Sequence, residues 1–357
     1  MSRRGYLDWL RGVAVLIMVE AHVFDAWVRT LDRIEPPYRW AIAVGGFSAP
    51  AFLFLAGVVL ALATGSRLRH GLTASQAAAV ARQRGWQIVG LAFLFRLQSF
   101  VVSGGPFPET LLKVDILNVM GPAMVMAAVV WGIPCRDLWR GAALSALALF
   151  FVLLTPLVRS ASFVTTLPYP IQWYLKAVPG SGAFTLFPWV AFLLAGVVAG
   201  LWLDQSRTDA DERRAMKAMA IAGLLLAAGG YLSAYLPSLY TGATFWTGSP
   251  TFFFVRLGVL IMAVPVAYVW NAVSPGWSPV RDFGVASLFV YWIHVEMVYG
   301  VASLWLHKSL TFPQAAASYV ALTLVLYVLV KLKDRVLRNP LSPRTHQLAP
   351  SAGASAG

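Results

Sequence analysis

Charged residues are scarce in this chain. Asp, Glu, Lys and Arg make up 12% of its 357 residues, where a soluble domain carries about a quarter. With 59% hydrophobic residues and a mean hydropathy of +0.69, a water-soluble globule is excluded. Cysteine is nearly absent: Cys135 stands alone, which rules out a disulfide framework and a Cys-rich metal site. No HExxH, no Cys pair and no His/Asp cluster of ligand spacing occurs, so no metal centre is expected. Ser48 sits in GGFSAPAF rather than GxSxG, so a hydrolase elbow is lacking. Gly-rich phosphate loops and internal repeats are lacking too. Acidic residues are the minority, 15 against 28 Lys and Arg, for a net charge of +13. In a soluble protein that balance would raise nucleic acid as a partner. Here the basic residues fall in short segments between apolar runs, where they orient helices and meet anionic headgroups, so membrane lipids are expected and nucleic acid is not.

What the chain does have is apolar runs of about 20 residues, the length of a helix that spans a bilayer. Bounded by charges, Pro or Gly, these runs predict ten transmembrane helices near 8–28, 40–64, 85–103, 115–133, 140–158, 184–203, 216–235, 251–272, 283–306 and 312–332. The expected fold is an all-α polytopic membrane helix bundle forming one domain over 1–338. The small, polar tail 339–357 is expected to be disordered. The first run carries Arg11, Glu20 and His22 and has no convincing cleavage site, so it reads as a retained helix. An even number of spans puts both termini on one side. That side holds 18 of the basic residues and the other side 7, so both termini are expected in the cytoplasm. The stretch near 159–183 is too long and too aromatic for a plain hairpin and is a candidate lid or interfacial segment.

Ionisable groups inside hydrocarbon cost about 2.5–3.5 kcal/mol each on insertion scales, which makes each one a functional candidate. The first helix is richest in them. At about 100° per residue, Asp8, Arg11, His22 and Asp25 fall on one stripe, while Glu20 faces another neighbour. Arg11 and His22 lie about 16 Å apart along the axis, a span that suits a long linear donor with a phosphorylated head at Arg11. His22 is the candidate base because its ordinary pKa lets it take and return a proton. Asp25, one turn on, is the candidate to orient it. Arg67, Arg69, Arg82 and Arg84 crowd the second-to-third loop, either as a polyphosphate cradle or as plain topology charges. Arg96, Asp115, Asn118 and His294 are candidate substrate contacts, with mutual pairing or helix packing as the structural alternative. Arg256 interrupts the eighth helix.

These residues also carry a family likeness. RGYLDWLRGVAVLIMVEAH resembles the opening helix of the integral-membrane acyltransferases, and Arg11 and His22 match the Arg, ten residues, His spacing of the type 3 family. GFSAPAFLFLAGVVLALATG, DILNVMGPAM, FPWVAFLLAGVVAG and SLFVYWIH are similar to later segments in order, from about 6 to 306. Within that superfamily, LDWLRGVAVLIMVEAHVFDAW with APAFLFLAG looks most like the bacterial relatives of heparan-α-glucosaminide N-acetyltransferase. The lysosomal member has Asn at the position of His22 and its own His where this chain has Arg33, so His22 follows the type 3 pattern. The resemblance implies acetyl-CoA as donor on the cytoplasmic side, with Arg11 and the loop arginines on its phosphates. It also implies a cell-envelope glycan or glycolipid as acceptor, and His22 as base or transient acyl carrier. A rival reading is a transporter or flippase for an acylated or glycan intermediate, with Arg11, His22 and Asp25 as a proton or anion path.

Overall fold

The computed structural model describes residues 4–178, 182, 184–240 and 248–338; the expected tail 339–357 and part of the 159–183 stretch lie outside them. The regular elements of the described residues are all helices, joined by turns and short irregular segments, with a single backbone bridge, Val28 to Leu310, outside them. The amino-terminal half comprises α1 Gly5–Trp27, α2 Pro36–Gly45, α3 Ser48–Arg69, α4 Ala74–Ser103, α5 Glu109–Leu112, α6 Ile116–Gly132 and α7 Asp137–Ser160. Then come α8 Tyr169–Leu175, α9 Leu186–Asp204, α10 Asp209–Leu232, α11 Pro250–Val273, α12 Pro279–Val285, α13 Ser287–Tyr299 and α14 Phe312–Arg338. Capping residues set several starts. Thr73 with Gln76, Asp115 with Asn118, and Thr208 with Asp211 form reciprocal capping boxes at α4, α6 and α10, each satisfying backbone N–H groups that the first turn leaves over.

Among the described residues, seven segments are long and apolar enough to cross a membrane: 36–69, 74–103, 137–160, 186–204, 209–235, 250–273 and 312–337. The chain is therefore a multi-pass membrane protein. The three other runs expected as spans depart from that standard for separate reasons. Helix α1 carries Asp8, Arg11, Glu20 and Asp25 within its 23 residues. Helix α6 is only 17 residues long. The ninth run, expected as one helix over 283–306, is broken at Ala286 into α12 and α13 and ends in a 3₁₀ segment, Val301–Leu306. Large apolar side chains such as Phe93, Leu94, Phe150, Leu224 and Leu324 are exposed on the outer faces of the long helices, as a lipid-facing surface requires.

Helix α1 lies at the heart of the bundle, packed against α2, α3, α11, α12, α13 and α14. Its approach to α12 is close enough that only glycine fits. A Cβ on Gly12 would stand 1.8 Å from the Val280 carbonyl oxygen, and one on Gly284 would stand 1.7 Å from that of Asp8. Beyond this crossing α1 runs parallel to α13: Arg11 meets Ser287, His22 meets His294, and the Trp27 indole donates to the Val298 carbonyl at 3.0 Å. The far end of α1 is clasped by the segment before α14, where the backbone N–H of Arg29 donates to the Leu310 carbonyl at 2.9 Å and that of Lys308 to the Ala26 carbonyl at 2.9 Å.

Candidate active site

The stripe expected on α1 is present and faces α12 and α13. Arg11 donates to the Ser287 hydroxyl at 2.7 Å and lies 3.8 Å from Asp8. One wall further along, His22 Nδ1 is 2.8 Å from His294 Nε2, and the two rings are stacked within 3° of parallel. His294 is fully buried, with its Nδ1 at 2.7 Å from the Val290 carbonyl oxygen. A carbonyl only accepts, so His294 Nδ1 carries the proton and, in the neutral ring, Nε2 is the acceptor. His22 must then donate through Nδ1, which leaves its Nε2 with a lone pair and no protein partner among the described residues. The tautomers thus follow by elimination and put a free base nitrogen on His22, a half-buried residue.

Asp25 does not hold His22. Its carboxylate accepts from the Tyr299 hydroxyl at 3.0 Å and faces Arg33 at 3.8 Å, and the Arg33 guanidinium also donates to the Asp25 carbonyl. The edge of Tyr299 rests on His22, with ring centroids 5.5 Å apart, so Asp25 touches the imidazole only through that tyrosine. The expectation that Asp25 orients His22 is therefore corrected: the side chain bonded to the imidazole is His294. The carboxylate sits one turn nearer the helix end, where the cation from the following loop draws it away.

Below the histidines a cleft of about 250 Å³ opens between α1, α3, α4, α6 and α13. Its walls are apolar (Leu55, Ile88, Met120 and Met124 among them), and its charged groups are Arg11, Arg67 and Arg84. Ser287 and Tyr291 line it as well, and the Tyr291 ring is 6.1 Å from that of His294, one turn further along α13. Among the described residues the Arg67 guanidinium makes no hydrogen bond or ion pair, and that of Arg84 donates only to Gln87 at 3.1 Å.

The other two arginines of the expected cradle are elsewhere. Arg69 grips both carboxylate oxygens of Asp204, at 2.8 and 2.7 Å, and so ties α3 to the end of α9. Arg82 is exposed and does not line the cleft. The reason is that the expected loop is mostly helix: α3 continues to Arg69 and α4 begins at Ala74. Residues two apart on a helix point to different faces, so each Arg-x-Arg pair is split.

Arg96, Asp115 and Asn118 pair among themselves. Arg96 lies 3.3 Å from Asp115, which caps α6 by accepting from Leu117 and Asn118. Asn118 in turn accepts from the Asp115 backbone and donates to the Tyr174 hydroxyl at 3.2 Å. This geometry follows the structural alternative for the three. Sequence reading passed over Ser287, Tyr291 and Tyr299. The first two share with His294 an i, i+4, i+7 stripe on α13, and that periodicity was available to find them.

Among known families, residues 3–238 match the model described as heparan-alpha-glucosaminide N-acetyltransferase, catalytic. No curated protein matches the chain. The match spans α1 to α10 and so contains Arg11, His22, Arg67 and Arg84, whereas α11 to α14, with Ser287, Tyr291 and His294, lie beyond it. Because it covers more than half of the 357 residues, the chain belongs to the heparan-α-glucosaminide N-acetyltransferase catalytic-domain family of membrane acetyltransferases.

Proposed function

We propose that this acetyltransferase moves an acetyl or other small acyl group from acyl-CoA to a hydroxyl or amine of a cell-envelope carbohydrate or glycolipid. It would do so as a multi-pass protein of a bacterial inner membrane, with both termini in the cytoplasm. The observation that carries the reading is the lone pair on His22 Nε2, held in place by the bonded sequence His22, His294, Val290 carbonyl. Support for the donor comes from the first cleft: the Arg67 guanidinium has no partner among the described residues, and Arg11 and Arg84 add two more forks suited to phosphate oxygens. The apolar walls between these arginines and Tyr291 suit the uncharged arm that joins the phosphates to the thioester.

In this mechanism His22 Nε2 takes the proton of the acceptor O–H or N–H as that atom attacks the thioester carbonyl. The new C–O or C–N bond forms, the C–S bond breaks with its electron pair on sulfur, and His22 returns the proton to the thiolate. His294 prevents the His22 ring from turning and accepts its Nδ1–H throughout, so the imidazolium that forms midway keeps a partner. Tyr299, braced by Asp25, closes the ring's edge.

The test is transfer itself. Purified protein is supplied with radiolabelled acetyl-CoA and an envelope-glycan fraction, beside His22→Ala. Label in the glycan with the wild type and not with the variant supports the reading. Movement of an acylated or glycan intermediate across proteoliposomes, without any thioester turnover, would replace it with the transporter.

A further inference from the structure

A second cleft, of about 40 Å³, opens where α7 ends and α9 and α11 begin, and it shares no lining residue with the first. Two arginines line it: Arg159, the penultimate residue of α7, and Arg256, in the second turn of α11. Neither Asp nor Glu does. The Arg256 side chain makes no hydrogen bond or ion pair among the described residues. Its Nε is buried without an acceptor, and its guanidinium carbon stacks 4.2 Å over the Phe252 ring. Arg159 faces the same space, with its Nη2 3.4 Å from the Phe187 carbonyl oxygen. Ser249, the N-cap of the 24-residue α11, is also on the lining, so the positive end of that helix adds to the two cations.

A guanidinium carries five N–H donors in a fixed fork. Stacking on Phe252 offsets part of its desolvation but satisfies none of those donors. Placing such a group in a membrane segment is costly unless it meets an acceptor. Here the described residues bring a second cation and a helix N-terminus to the same space and no carboxylate. Trp189, Phe192 and Phe252 make the walls aromatic, and the volume is room for a phosphate-sized group and not for a sugar. On the same stretch of α7, Leu153 and Leu157 are exposed on the lipid-facing surface.

We propose that this cleft is an oxyanion site for the phosphate of a lipid, with Arg256 and Arg159 as its two forks and the aromatic walls against the start of the lipid's apolar part. The site is separate from the acyl-transfer reading and stands if that reading fails.

The experiment is thermal unfolding of the full chain in a neutral detergent with three probes: a short-chain phosphatidic acid, a diacylglycerol of the same chain length, and inorganic phosphate. Phosphatidic acid is expected to raise the unfolding temperature saturably, and diacylglycerol to leave it unchanged. Arg256→Gln and Arg159→Gln should each weaken the apparent Kd for phosphatidic acid about tenfold or more, the effect of losing a charge-assisted hydrogen bond. His22→Ala should respond like the wild type. An equal shift with inorganic phosphate alone would keep the oxyanion site and assign its ligand to soluble phosphate. Equal shifts with phosphatidic acid and diacylglycerol, or an undiminished shift in Arg256→Gln, would overturn the proposal. Should Arg256→Gln not fold, the wild-type comparison of the two lipids still decides, and Arg256→Lys tests the fork by keeping the charge without it.

Discussion

His22 and His294 are 272 positions apart in sequence and 2.8 Å apart in space. That pairing explains which part of the site could be read from residues alone. The stripe of Asp8, Arg11, His22 and Asp25 was legible, because helical periodicity fixes which side chains of one helix share a face. The partner was not, since nothing in α1 says which helix lies opposite. A local candidate one turn away, Asp25, stood in for the distant one.

At this scale the roles divide in measurable ways. His294→Leu removes the acceptor of the His22 Nδ1–H and frees the ring to turn, so kcat is expected to fall roughly 10–100-fold while CoA affinity holds. His294→Gln offers an amide oxygen near the position of Nε2 and should recover part of that loss. A fall in CoA affinity of similar size in His294→Leu would mean that the residue only props the cleft. Arg67 and Arg69 make a second pair. Arg67→Gln should weaken CoA binding measured by calorimetry about tenfold, the value of a lost charge-assisted contact, and Arg69→Gln should leave it unchanged. Equal losses in both variants would restore the four-arginine cradle suggested by the sequence, and the reverse order would remove Arg67 from the donor site.

At the scale of the helix, seven of the ten apolar runs overlap helices long and apolar enough to span a membrane among the described residues, because the hydrocarbon thickness imposes their length. The discrepancies have physical causes. Polar first turns hid the start of α4: ASQAAAVARQR is capped at Thr73 but lacks the apolarity by which a span is recognised, so Arg82 and Arg84 were assigned to a loop. The break at Ala286 was hidden for the opposite reason, since SLFVYWIH continues the apolar run without Pro. This break separates two jobs. Helix α12 carries Gly284 into the crossing with α1, and α13 carries Ser287, Tyr291 and His294 alongside it.

Gly12 and Gly284 therefore set how the stripe on α1 meets α13. Gly12→Val would drive a side chain into the Val280 carbonyl, a backbone atom that has little room to yield. It is expected to destabilise by about 1–3 kcal/mol or more, lowering the unfolding temperature in detergent. Gly90, in α4, has nothing within 4 Å of the position a Cβ would take. Gly90→Ala should instead stabilise by roughly 0.5–1 kcal/mol through helix propensity. Equal effects of the two substitutions would contradict the close crossing.

For the whole molecule, composition was the strongest guide: a chain this apolar and this poor in charge has no stable form other than one buried in lipid. The orientation of that form is a separate matter. Helices α1 and α13 run parallel, with Arg11 beside Ser287 and Trp27 beside Val298. Under the proposed topology, the excess of basic residues is expected to put the start of both in the cytoplasm. A carboxy-terminal reporter that works only outside the cytoplasm should stay dark, and activity from it would reverse the assignment of donor and acceptor faces.

In the proposed mechanism His22 acts on a substrate held by other residues. Calorimetric CoA binding and radiolabelled acetyl transfer, taken on one preparation of His22→Ala and one of the wild type, test that division directly. The expected result is an unchanged Kd for CoA with transfer lowered about 10²–10⁴-fold, the usual contribution of a general base. Transfer at the wild-type rate by the variant would contradict it.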